Sequence, residues 1–239
     1  KQYTDGANAY TDLERYVSLP AEEAPKPDEQ EDAPSETAEE EAGSPASSLL
    51  LPSVDFDALR QLNPDIVGWL VCEDTVINYP IAQGENNSRY LNRLYDGSRG
   101  KAGTPFLDYE NTPNFTDGNS IVYGHNLLDG SMFSELIEYQ EQAYYDAHPS
   151  MLLLTPQGAY RMEIFAAFTA SPNEAGTDAS PWRQAWDTED DFAAWLEQMK
   201  GRSVIDTDVT LSPDGQVLTL STCINRGRDR FLVMGRLVL

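Results

Sequence analysis

Cys223 closes a run of strand-forming residues, Val217 to Thr222, and Arg226, Arg228 and Arg230 follow it closely. A thiol attacks carbonyl carbon as its thiolate, and a positive local field favours that form, so the spacing suits a nucleophile. Taken alone, a strand-end cysteine reads more readily as a small buried hydrophobe. A second stretch shifts the balance. Ser120 to Tyr123 is another short apolar strand, and it runs into Gly124-His125-Asn126, so an imidazole that exchanges protons near neutrality also emerges at a strand end. Two strands ending at one rim would bring thiol and imidazole together, the pairing on which acyl transfer through a cysteine rests.

The elements that must hold these residues are mostly strands. Asp55 is placed to cap a helix carrying Phe56, Leu59 and Leu62 that stops at Asn63-Pro64. Ile66 to Cys72 and Thr75 to Ile81 read as a hairpin whose turn lacks glycine, and Ser88 to Tyr95 as one or two helical turns. Thr104 to Tyr109 and Asn119 to Tyr123 read as strands, Ser131 to Tyr139 as helical, and Met151 to Thr155 with Ala159 to Ala170 as strands around Pro156-Gln157-Gly158. Phe192, Trp195, Leu196 and Met199 recur at helical spacing after Asp187 or Thr188 as cap and before Gly201, which predicts a helix packed on the core. Ser212 to Gly215 turns the chain into the strand that ends at Cys223, and Arg230 to Val238 follows as the last strand.

The start of the chain has a different composition. Tyr10, Leu13, Tyr16 and Val17 predict a marginal amphipathic helix within residues 1–20, ended by Pro20. Residues 21–48 are Glu, Asp, Pro, Ala and Ser with almost nothing apolar beyond alanine, which predicts a disordered acidic linker, read as a spacer. Residues 49–239 then form one catalytic domain, and removal of Lys1 to Ser48 is expected to leave its chemistry largely unchanged.

The formal net charge of -24 argues against nucleic-acid binding, which needs clustered Lys and Arg against phosphate. With only Cys72 and Cys223, and only His125 and His148, the chain has neither a disulfide framework nor a thiolate- or histidine-rich metal site. Cys72 reads as a buried strand residue. No dinucleotide fingerprint, P-loop or paired-carboxylate motif stands out, so no cofactor and no metal is inferred.

T-L-S-T-C ending at Cys223 with Arg230 opening the last strand, Y-G-H-N around His125, N-P-D-I-V-G-W and I-N-Y-P-I-A-Q-G together resemble the class B sortases, from about Val54 to the C-terminus. That resemblance implies a mainly β fold: a closed sortase-type barrel of about eight strands, with N-terminal helices and a long helix between the sixth and seventh strands. It implies a cysteine transpeptidase in which Cys223 attacks a threonine carbonyl in the sorting motif of a surface protein and forms a thioester, with His125 moving the protons. Arg230 matches the family arginine that faces the oxyanion; from the residues alone Arg226 and Arg228 remain alternatives. Ser221, Thr222 and Asn87 match substrate-contacting positions. The implied partners are surface or pilin proteins bearing a C-terminal sorting motif, and an amine from peptidoglycan precursor or a pilin lysine. The implied place is the outer face of the cell membrane of a Gram-positive organism, held by an anchor upstream of Lys1. A cysteine protease that resolves the thioester with water, and a non-catalytic β-barrel binding module, are the competing readings.

Overall fold

The computed structural model describes residues 10–18 and 52–239; residues 21–48, read from sequence as an acidic linker, lie outside the described residues. A 3-10 helix at Thr11–Tyr16 leads into β1 (Val17–Ser18), and β2 (Ser53–Val54) precedes helix α1 (Phe56–Leu62). β3 (Ile66–Val71), β4 (Asn78–Ala82), β5 (Phe106–Leu107) and β6 (Asn119–Gly124) come next. Helix α2 (Gln142–Ala147), β7 (Ser150–Thr155) and β8 (Gly158–Ala170) follow, then helix α3 (Glu189–Gly201), β9 (Gln216–Ile224) and β10 (Asp229–Val238). The eight strands β3 to β10 close into a barrel in the order β10-β8-β7-β3-β4-β5-β6-β9, and α3 lies between the sixth and seventh of them.

Leu70, Ile81, Leu107, Val122, Leu153, Ile164, Leu220 and Val233 each come from a different barrel strand and share one apolar cluster. Only the inside of a closed barrel is reachable from all its strands, so these residues define the inward face. Their neighbours point outward and are covered by two separate layers. On one side α3 packs Phe192, Trp195, Leu196 and Met199 against Phe168, Leu232 and Met234. Its cap is Thr188, whose Oγ1 accepts the Asp191 N–H at 3.1 Å, which decides between the two cap candidates.

Local differences from the expected elements have local causes. The β3–β4 turn manages without glycine because Asp74 takes the left-handed conformation, φ 58°, which a short polar side chain tolerates, and Thr75 Oγ1 donates to the Cys72 carbonyl at 2.9 Å. Only Phe106–Leu107 of the expected Thr104 to Tyr109 strand joins the ladder. The stretch expected to be helical over Ser131 to Tyr139 is a 3-10 helix at Ser134–Gln140. In α1, Asp55 caps by accepting the Ala58 N–H at 2.9 Å, Leu59 is buried, and Leu62 is 46% exposed.

The second outer layer holds the largest departure from expectation. Tyr10, Leu13 and Val17 are buried in one cluster with Leu59, Trp69, Tyr79 and Phe106, so the segment read as a marginal helix is instead a 3-10 turn and strand packed on the barrel. β1 pairs with β2 through Val17↔Val54 and Ser18↔Ser53, and Asp55 N donates to Tyr16 O at 3.0 Å. The two described segments therefore meet at one strand pair, which fixes Tyr10 on the barrel whatever the length of sequence between them.

Excising 21–48 and joining its flanks through a short Gly-Ser bridge is accordingly expected to leave Tm within about 2 °C of the parent. Deleting residues 1–18 instead strips Tyr10, Leu13 and Val17, each worth roughly 1.5–3 kcal/mol when buried. We expect that deletion to lower Tm by about 10–30 °C. Differential scanning calorimetry of the two deletions checks both.

Candidate active site

Two ladders meet on β9 and build the site. β9 runs parallel to β6 with Tyr123↔Ser221 and Gly124↔Thr222 as the last pairs, and one further step of that register sets His125 alongside Cys223. On the other edge β9 is antiparallel to β10, and Cys223 pairs directly with Arg230. Residues opposite one another in such a ladder have Cβ atoms about 4.5–5.5 Å apart. Leu218 and Leu220 face into the barrel, so by alternation Ser221 and Cys223 face out. His125, Cys223 and Arg230 thus form one row across three strands, each half-buried, on the outer rim of the barrel.

The histidine is held by backbone. Its Nε2 lies 2.7 Å from the Leu91 carbonyl oxygen, which can only accept, so Nε2 carries a proton and the neutral ring keeps Nδ1 as its basic nitrogen. Asn126 Nδ2 donates to Cys223 O at 3.0 Å, tying the segment after β6 to the end of β9. Gly124 has no room for a side chain, since a Cβ there would meet Phe133 ring carbons at 2.4 and 2.5 Å.

Arg230 is distinguished from Arg226 and Arg228 by geometry. The latter two are exposed on the β9–β10 turn, where Asn225, Arg226 and Gly227 all have positive φ (50°, 60° and 83°). Arg230 Nη1 donates to the carbonyls of Gly227 (3.0 Å) and Asp229 (3.1 Å), so the turn steadies the guanidinium beside Cys223. An open cleft of about 730 Å³ has Arg230 as one wall, with Tyr123, Asp108, Thr177 and Trp182 among the others.

The three substrate candidates take different places. Ser221 is buried on the same face as Cys223, and its Oγ has no hydrogen-bond partner. Thr222 is turned to the opposite face and donates its hydroxyl to Gly124 O at 2.9 Å, bracing β9 against β6. Asn87 donates from Nδ2 to Asp108 Oδ2 (2.8 Å) and accepts the Tyr109 N–H (3.0 Å), so its amide braces the cleft wall. Sequence reasoning missed Tyr123 and Asp108. Tyr123 donates its hydroxyl to the buried Asp108 Oδ2 at 2.8 Å, and its ring packs on Phe106. Burial, and then the Asp108 charge, push the Tyr123 phenol well above its usual range, with Arg230 pulling the other way, so it remains a neutral donor. Its position two residues before His125, hence on the same strand face, was the available signal. Cys72 is buried, with its Sγ 3.8 Å from the Tyr139 hydroxyl, and burial pushes its thiol up. Among the described residues no His, Cys, Asp and Glu group is arranged to hold a metal.

Comparison with known proteins gives the family. A family model, the Sortase domain, matches residues 70–238. Sortase B of Listeria monocytogenes is 38% identical over 183 residues, covering 75% of this chain and 72% of that protein. A solved Staphylococcus aureus sortase B-substrate complex superposes with a TM-score of 0.71 at 30% identity, over 77% of this chain and 84% of that one. A sortase B complexed with triglycine also has a TM-score of 0.71 at 30% identity, over 77% and 85% of the two chains. A thiol, an imidazole and a guanidinium aligned on one rim of an eight-stranded barrel, together with these matches, show that the chain belongs to the sortase family as a class B sortase, a cysteine transpeptidase.

Proposed function

We propose that this transpeptidase cuts a C-terminal sorting motif of surface proteins after its threonine and joins the threonine carbonyl to an amine of peptidoglycan precursor or of a pilin lysine. The observation that carries the reading is the single row His125, Cys223, Arg230, set by the two registers of β9. Support for the two substrates comes from the sortase B relatives solved with a substrate and with triglycine. Such substrates meet wall amines on the outer face of the cell membrane, which is where we place the reaction.

In the first half, the Cys223 thiol passes its proton to His125 Nδ1 as Sγ bonds to the threonine carbonyl carbon. The oxygen becomes an oxyanion opposite the Arg230 guanidinium, and collapse breaks the C–N bond as His125 gives its proton to the departing amine. In the second half, the acceptor amine attacks the thioester, loses a proton to His125, and the C–S bond breaks to restore the thiolate. Water in place of the amine would give the protease reading. The Asn87, Asp108 and Tyr123 network gives the cleft wall a fixed shape, so binding the peptide need not order it.

Intact-protein mass after mixing with Asn-Pro-X-Thr peptides tests the chemistry. Parent enzyme is expected to gain a thioester adduct, Cys223→Ala to gain none, and His125→Ala to slow its formation by about 10²–10⁴-fold. Arg230→Ala should cost about 10²–10³ in kcat, and Arg226→Ala little. An adduct in Cys223→Ala would sink the mechanism. Added triglycine is expected to convert the adduct to joined peptide; release of hydrolysed peptide alone, with each amine class supplied, would establish the protease instead.

A further inference from the structure

Tyr10 lies far from the catalytic row in sequence, yet its contacts converge on the histidine. Its hydroxyl donates to the Gly103 carbonyl and lies 3.1 Å from Thr104 Oγ1. Thr104 is itself tied into the 90–104 segment, donating from Oγ1 to Arg93 O at 2.9 Å and from N to Tyr90 O at 3.1 Å. Gly103 sits between that segment and the catalytic ring: a Cβ on it would meet Leu91 O at 2.9 Å and His125 Cδ2 at 3.0 Å. Leu91 O is the atom that accepts the His125 Nε2 proton. Holding Gly103 therefore holds both the wall against the ring and the acceptor that fixes its tautomer.

A second path reaches the same residue through backbone. The Tyr10 ring packs edge-on to Tyr79, with centroids 5.3 Å apart at 87°, and Tyr79 OH accepts the Met132 N–H at 3.1 Å. The next residue, Phe133, donates its N–H to His125 O at 2.9 Å. Burial pushes the Tyr10 phenol far above its usual range, so the hydroxyl stays a donor at any working pH. A packing role alone would need only the ring.

We propose that Tyr10 is a positioning residue for the transfer reaction: its hydroxyl clamps Gly103 and Thr104 so that Leu91 O keeps the His125 ring oriented with Nδ1 free for proton exchange. The catalytic domain thereby begins at the N-terminal strap, since a residue ahead of the acidic stretch sets the geometry of the proton carrier. The proposal rests on the reading of His125 as that carrier.

Tyr10→Phe is the test, because it keeps the ring and removes only the donor. Two readouts separate the proposal from the reading beneath it. Imidazole ¹⁵N shifts report the His125 tautomer without any substrate, and the assignment is simple because His148 is the only other histidine. The expected result is a loss of the single Nε2–H tautomer, kcat lower by about tenfold or more at unchanged KM, and a displaced pH profile. Gly103→Ala, which pushes on Leu91 O and the His125 ring directly, should reproduce these changes. An unchanged tautomer in Tyr10→Phe overturns the proposal, whatever happens to rate. A changed tautomer with parental kcat and pH profile leaves the clamp standing and overturns the role assigned to His125. If Tyr10→Phe lowers Tm and kcat together with the tautomer intact, Tyr10 is structural and the proposal fails.

Discussion

The position of β9 between a parallel and an antiparallel neighbour is the constraint on which the rest of the site depends. The parallel β6 delivers His125 to the end of the strand where Cys223 lies, and the antiparallel β10 starts at that same end and delivers Arg230. A slip of one residue in either ladder would turn the relevant side chain to the other face of the sheet and dismantle the row. The register is held on both faces. Leu218 and Leu220 are buried inside the barrel, while outside it Thr219 Oγ1 donates to Asn119 Oδ1 at 2.7 Å. Asn119 Nδ2 in turn donates to Pro181 O and Arg183 O, which ties the cleft-lining loop to the same two strands.

The two outer layers determine where the barrel remains open. α3 and its aromatic cluster cover β8 and β10, and the N-terminal strap with α1 covers the side of β3, β4 and β5. The row of His125, Cys223 and Arg230 falls between these coverings, so its groups stay half-exposed while the strands beneath them are buried. This placement reconciles two opposing needs: a peptide must reach Cys223, and the hydrogen bonds that aim the three groups must be sheltered from competing water.

Left-handed backbone occurs beside the candidate site as well as in turns elsewhere, such as that at Asp74. Asn225, Arg226 and Gly227 adopt left-handed conformations in succession, and the turn they make offers carbonyls to Arg230. Gly103, at φ +66°, approaches both Leu91 O and the His125 ring more closely than a side chain would permit. Conformations of this kind cost of order 1–3 kcal/mol each at non-glycine positions and persist where surrounding contacts over-determine them. Here those contacts are the β9–β10 ladder and the clamp from Tyr10.

Local chemistry was legible in the linear order of residues. A thiol after T-L-S-T and an imidazole after I-V-Y-G each sit at the end of an apolar β-branched run, and strand ends are where such runs surface. The amphipathic pattern of Phe192, Trp195, Leu196 and Met199 likewise announces a helix, because its period is set by the backbone alone. Family motifs added the barrel and selected Arg230 among three arginines. What the sequence could not decide is which strands become neighbours, since pairing joins residues roughly a hundred positions apart, as Thr219 and Asn119 are. It also misjudged the first residues: Tyr10, Leu13 and Val17 look marginal as an isolated helix, and become core only because Trp69, Tyr79 and Leu59 are folded beneath them. Propensity is a property of a few neighbouring residues, whereas burial belongs to the whole closed barrel, and so the strand-end place of Cys223 was determined by sequence while the residues around it were decided by tertiary structure.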